Sequence, residues 1–182
     1  MKTKMPFPLQ GLLLLLPLLF FACKKDNDNE PGLPPATQEG RNTFGCKVNG
    51  QVWVNGGDDW KANYKWADYI DSSGVFYLGG SSSKNNQHSE VGLVIKHLPF
   101  SGIINSQHQC NGWYRRAIYQ NNVSNIQKYV TDSLFPGTVT ITKFDTINLI
   151  VSGTFQFKAK LEDGTETVDI TDGRFDLRFN KF

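Results

Sequence analysis

The dipeptide Asn49-Gly50 constrains this chain more than any other feature, because it separates two short runs suited to strands, Thr43 to Val48 and Gln51 to Val54. Asn and Gly both tolerate the positive φ that a type I′ turn needs at its two central residues, so the pattern predicts a two-residue β-hairpin. The register follows from the turn. Val48 falls opposite Gln51 and Cys46 opposite Trp53, which puts Phe44, Cys46, Val48 and Trp53 on a core face and Lys47 on the other.

The same punctuation recurs to the end of the chain. Trp60, Ala62, Tyr64 and Trp66 alternate with Lys61, Asn63 and Lys65, a period of two that predicts a half-buried strand, and Asp68 to Gly74 reads as the turn after it. Further strands are expected at Val75 to Leu78, Glu90 to Lys96, Gly102 to Asn105, Trp113 to Tyr119, Ile126 to Thr131 and Thr138 to Phe144. Ile147 to Leu161 reads as two runs bent at Ser152-Gly153. Glu166 to Thr171 and Arg174 to Phe179 read as a last pair around Asp172-Gly173. About ten strands, spaced by about 8 to 12 residues and joined by links too short for crossover helices, imply an antiparallel all-β domain. Its apolar face has to be covered by a second sheet or by closure, so a β-sandwich is expected, with a closed or half-open β-barrel as the rival. An aromatic content of 13% and 17 glycines suit strands and turns better than helices.

The first residues have a different character. Lys2 and Lys4 precede an apolar run from Leu9 to Ala22, broken by Pro17 and too short to span a bilayer as a stable helix, and Cys23 follows the small Ala22. Residues 1–22 are therefore expected to be a cleaved secretory signal. Residues 23–40 include Lys-Lys-Asp-Asn-Asp-Asn-Glu-Pro-Gly-Leu-Pro-Pro and carry little to bury, which suits a flexible tether. Residues 41–182 then form a single folded domain.

Phe20-Phe21-Ala22-Cys23 resembles the lipobox of bacterial lipoproteins, although Phe20 departs from the usual Leu, and the resemblance implies lipidation of Cys23. A thioether-linked diacylglycerol plus an N-acyl chain would exceed the two signals needed for a stable membrane anchor. The start Lys24-Lys25-Asp26 looks like the export tags of Bacteroidota surface lipoproteins. Leu33-Pro34-Pro35-Ala36-Thr37, then Asn42-Thr43-Phe44-Gly45-Cys46, Val48-Asn49-Gly50 and Trp53, is similar to the mature start of an uncharacterised group of such lipoproteins. Ser152 to Phe157 and Ile170 to Phe175 fit the same group. The resemblance implies an outer-membrane, lipid-anchored protein on the periplasmic leaflet or at the cell surface, and it implies no activity.

Chemistry-bearing residues are sparse. Without Lys2 and Lys4 the chain has 19 − 2 = 17 Lys and Arg against 17 Asp and Glu, so no basic stripe argues for nucleic acid. With Cys23 acylated, Cys46 and Cys110 remain, and in an oxidising compartment they could form one disulfide or stay as two separate thiols. His88, His97 and His108 lack metal-ligand spacing, and Asn55 to Asp59 lacks the regular spacing of a calcium loop. No metal or cofactor is expected. No nucleophile elbow, phosphate loop or paired-carboxylate scaffold is present, so the chain is expected not to be an enzyme. The aromatics are the compositional excess, and Trp60, Trp66 and Trp113 are the candidate ligand-binding residues. Exposed rings beside Asn, Asp and Arg suit sugar or peptide recognition. A binding or scaffold module for glycan or peptide is the functional expectation, with assembly through an exposed strand edge as the first alternative and an enzyme of unknown class as the second.

Overall fold

A computed structural model of the chain describes residues 32–57, 64–84, 87–96, 106–120, 123–134 and 136–182. Within them the chain is all β. The strands are β1 (Thr43–Val48), β2 (Gln51–Val54), β3 (Gly56–Gly57), β4 (Lys65–Ile70), β5 (Val75–Lys84) and β6 (Gln87–Ile95). There follow β7 (Ser106–Gln120), β8 (Val123–Val130), β9 (Gly137–Asp145), β10 (Ile150–Leu161), β11 (Thr167–Arg178) and β12 (Asn180–Lys181). All belong to one hydrogen-bonded sheet in the order β12-β4-β5-β6-β7-β8-β10-β11-β1-β2, with β3 on β5 and β9 joining β7 to β10. Pairing is antiparallel except for β3 with β5 and β12 with β4, which are parallel. The sheet is not closed into a barrel.

The predicted hairpin is present in its predicted register: Val48 pairs with Gln51 and Cys46 with Trp53. Asn49 and Gly50 take φ of 48° and 77°, as the turn requires. The turn is fastened from outside as well, since Asn49 N donates to Asp169 O at 2.8 Å and Asp169 N donates to Asn49 Oδ1 at 2.9 Å.

A sheet this long buries its apolar face by folding over on itself, so that β4 to β7 make one layer and β9, β10, β11, β1 and β2 the other. Contacts across the gap show the two layers face to face. Tyr69 of β4 meets Phe144 of β9 with ring centroids 5.2 Å apart, and Phe76 of β5 meets Phe179 at 5.3 Å. Trp53 Nε1 of β2 donates to Ser89 Oγ of β6 at 2.8 Å, while within the second layer Phe44 of β1 stacks on Phe155 of β10 at 5.2 Å. β7 and β10 serve as the crease. One half of each pairs with β9, whereas the later part of β7 and the end of β10 pair with β8.

Several sequence expectations change. Asp68 to Ile70 is not turn but the end of β4, paired with Val75, Phe76 and Tyr77. Asp172-Gly173 is not a reversal: β11 runs straight through it, and the ladders to β1 and β10 both slip register there. Asp172 has a φ of 51°, so the dipeptide forms a bulge and bends the strand instead of ending it. Ser152-Gly153 is likewise a register slip against β9 inside one continuous β10. Gly102 to Asn105 and Trp60 to Asn63 lie outside the described residues.

The domain also starts earlier than residue 41. Leu33 is buried, and residues 33–41 lie as a strap across the outer face of the second layer. Phe175 and Leu177 point into the core, so Asp176 between them points outward, yet it is 0% exposed because the strap covers it. Its carboxylate accepts from Thr37 Oγ1 at 2.6 Å, Gly40 N at 2.7 Å, and Glu39 N and Arg41 N at 3.1 Å each. Ser152 Oγ of β10 donates the fifth bond, at 2.8 Å. Arg174 Nη1 donates to Pro34 O at 3.3 Å and Lys143 Nζ to Gln38 O at 2.9 Å, so the strap is held along its length.

Candidate functional site

Alternation along β4 decides which aromatics reach solvent. Ala67 and Tyr69 are buried between the layers, which turns Trp66 and Asp68 to the outer face of the first layer. Tyr64, just before the strand, is 63% exposed and stacks on Trp66 with centroids 5.7 Å apart and planes 28° from parallel. Trp66 can lie down on the sheet because its cross-strand neighbour is Gly79, where a Cβ would collide with the indole. Gly79 pairs in turn with Gly92, and Gly92 with Trp113, so one row across four strands reads Trp66, Gly79, Gly92, Trp113. In the adjoining row Asp68 pairs with Tyr77, which is 40% exposed, and Tyr77 with Val94.

Of the three tryptophans singled out from sequence, Trp66 therefore lies half-buried on the outer sheet face, and backbone register puts Trp113 in its row. Trp60 lies outside the described residues. The fourth, Trp53, belongs to the core, with its indole N–H spent on Ser89. Asp68 borders the platform, whereas Lys65 has the parity of Ala67 and Tyr69 and turns to the inner side. Burial lowers the pKa of Lys65, whose ammonium reaches the Asn55 side-chain oxygen at 3.0 Å when the amide is oriented so that its nitrogen donates to Phe44 O.

Cys46 and Cys110 are both buried and both free thiols, so the disulfide allowed by the even cysteine count is not formed. Burial pushes the Cys110 thiol up to about 12 and raises Cys46 as well. Both behave as small core side chains, not as nucleophiles. His88 Nε2 lies 3.1 Å from Glu90 Oε1 on its own strand. Among the described residues no three His, Cys, Asp or Glu side chains gather as a metal set.

A second concavity opens at the end of the fold where the β1–β2 turn, the start of β6 and the start of β11 meet. It is a cleft of about 630 Å³ with Val48, Val168 and Tyr129 as apolar walls. Tyr129 Oη donates to Glu166 Oε2 at 3.1 Å. Neither this pair nor the Asp176 cage was legible in the sequence. Glu166 reads only as the first residue of a strand, and Asp176 in Phe175-Asp176-Leu177 reads as the solvent-facing residue of an alternating strand, because nothing local reveals the strap.

A family model described as a domain of unknown function (DUF6252) matches residues 51–176, which is 126 of the 182 residues. The chain belongs to that family. Neither a curated protein nor a solved structure matches it. The DUF6252 span takes in Trp66, Gly79, Gly92 and Trp113, both members of the Tyr129–Glu166 pair, and Asp176 as its last residue. The strap that closes over Asp176 lies before it, as do β1 and the Asn49-Gly50 turn.

Proposed function

We propose that this DUF6252 protein is a non-catalytic binding module of the cell envelope, held to the outer membrane by lipid on Cys23, and that it binds glycan on the outer face of β4 to β7. The observation that carries the reading is the Tyr64–Trp66 pair, a solvent-exposed aromatic surface laid flat on a glycine floor. Flat rings of this kind accept the C–H face of a pyranose while neighbouring polar groups bond its hydroxyls. The strap supports display of that face. It fastens the N-terminal segment to the outer side of the second layer, whereas the aromatic face belongs to the outer side of the first. The inert state of Cys46 and Cys110 favours a binding role over a thiol enzyme.

The test is titration of the purified chain with a panel of envelope and capsular polysaccharides, followed by tryptophan fluorescence. At least one glycan is expected to shift the emission, and Trp66→Ala to weaken that binding by about tenfold or more, the size of a lost aromatic contact. A panel that leaves emission unchanged, or binding indifferent to Trp66→Ala, refutes the glycan reading. The rival is assembly through a strand edge. β2 ends the hydrogen-bonded order with Gln51 and Val52 exposed, which favours edge pairing with a partner chain. Crosslinking from position 52 in intact cells that recovers one specific partner would shift the balance to that reading.

A further inference from the structure

The geometry points to the cleft at the β1–β2 end as a second site, one that takes a single saccharide unit and does not depend on the Tyr64–Trp66 face. Its volume, about 630 Å³, lies within the range of small-molecule pockets, about 300 to 1,000 Å³. Its polar groups converge from strands of both layers. Gln51 comes from β2, Gln87 from β6, Asn49 from the hairpin turn, and Glu166 from the approach to β11.

The chemistry of that set selects the ligand. The amides of Gln51 and Gln87 are engaged by no other described side chain, and each offers a donor and an acceptor, as a sugar hydroxyl does. Tyr129 fixes one oxygen of Glu166 and leaves Oε1 without a protein partner among the described residues, ready to accept from a hydroxyl. Among the described lining residues there is no Lys or Arg, so a phosphate or carboxylate ligand would meet there only the like charge of Glu166. The valine walls suit the C–H face of a ring. A neutral, hydroxyl-rich ring with one apolar face satisfies all of these groups together.

Saturation-transfer NMR on the full chain in detergent tests the assignment, with methyl glucoside, methyl galactoside and methyl mannoside as probes, and n-butylamine and inorganic phosphate as comparison arms. At least one methyl glycoside is expected to receive saturation. Glu166→Gln and Gln87→Ala should each weaken it by about tenfold, the loss of one hydrogen bond to a charged or oriented polar group. Gln87 is exposed, so its variant folds, and an unchanged Trp53 indole N–H resonance would verify the core in both. Trp66→Ala should leave methyl glycoside binding intact, which separates this site from the outer-face platform. The assignment fails if no methyl glycoside binds, if butylamine or phosphate binds in their place, or if binding survives both cleft variants undiminished.

Discussion

Asp176 is the residue on which the molecule's outline turns. A buried carboxylate without partners would be costly, and here burial does act to raise its pKa. The hydrogen bonds from Thr37, Ser152, Arg41 and Gly40 outweigh that and hold the group below the usual carboxylate value. A folded-state pKa depressed below the unfolded value of about 3.9 means that the stabilisation is fully present above that value. It is lost as pH falls through the folded pKa. Asp176→Asn keeps the shape but replaces charge-assisted acceptors with an amide whose nitrogen cannot accept, so it should cost about 2 to 4 kcal/mol at neutral pH. Urea midpoints for both proteins, measured from neutral pH into the acid range, should converge as pH drops below about 4. Parallel curves would mean that the carboxylate charge contributes nothing. Sequence could not have found this residue, because its five donors are supplied by chain more than a hundred residues away and by a neighbouring strand.

At the level of elements, two dipeptides of nearly the same chemistry do different things. Asn49-Gly50 reverses the chain, and the pattern on either side was enough to give both turn type and register. Asp172-Gly173 offers the same tolerance of positive φ, but β1 and β10 pair with the residues on both sides of it, and those two ladders keep the strand going. The deciding interactions are non-local, so alternation and turn chemistry located strands well and misjudged where two of them join. Trp66 illustrates the same boundary. Alternation placed it on a face, but only the register with Gly79 shows why the ring can lie flat there. The bulge makes its own prediction. Asp172 sits at a φ of 51° and its carboxylate lies 3.2 Å from Lys47 Nζ. Asp172→Ala loses both the side chain's tolerance of that conformation and the half-exposed ion pair, and should cost about 1 to 2 kcal/mol. Asp172→Gly loses only the pair and should stay within about 0.5 kcal/mol of the parent. Equal losses in chemical denaturation would place the cost in the ion pair and not in the backbone.

For the whole molecule, the consequential difference between sequence and structure is where the tether stops. Proline-rich, polar and nearly devoid of apolar residues, segment 33–40 has the composition of a linker, and composition alone assigns it to one. Its order comes from what it lies on: Pro34 packs against Gly45, Leu33 is buried, and four donors from Thr37 to Arg41 converge on one carboxylate. The strap is therefore the lid of the second layer's outer face, and removing it uncovers Asp176, Arg174 and Ser152 together. A chain beginning at residue 33 should unfold at the same urea concentration as one beginning at residue 24. A chain beginning at residue 42 strips four of the five hydrogen bonds from a carboxylate that water then has to solvate. At about 0.5 to 1.5 kcal/mol for each bond, partly offset by that hydration, it should lose about 2 to 4 kcal/mol. Because the strap crosses the second layer from β9 to β1, this loss should appear as a lower midpoint of one cooperative transition, not as a separate early phase. If the chain beginning at residue 42 unfolds at the same urea concentration as the two longer ones, the strap is only linker, and its fixed place on the side opposite Trp66 goes with it.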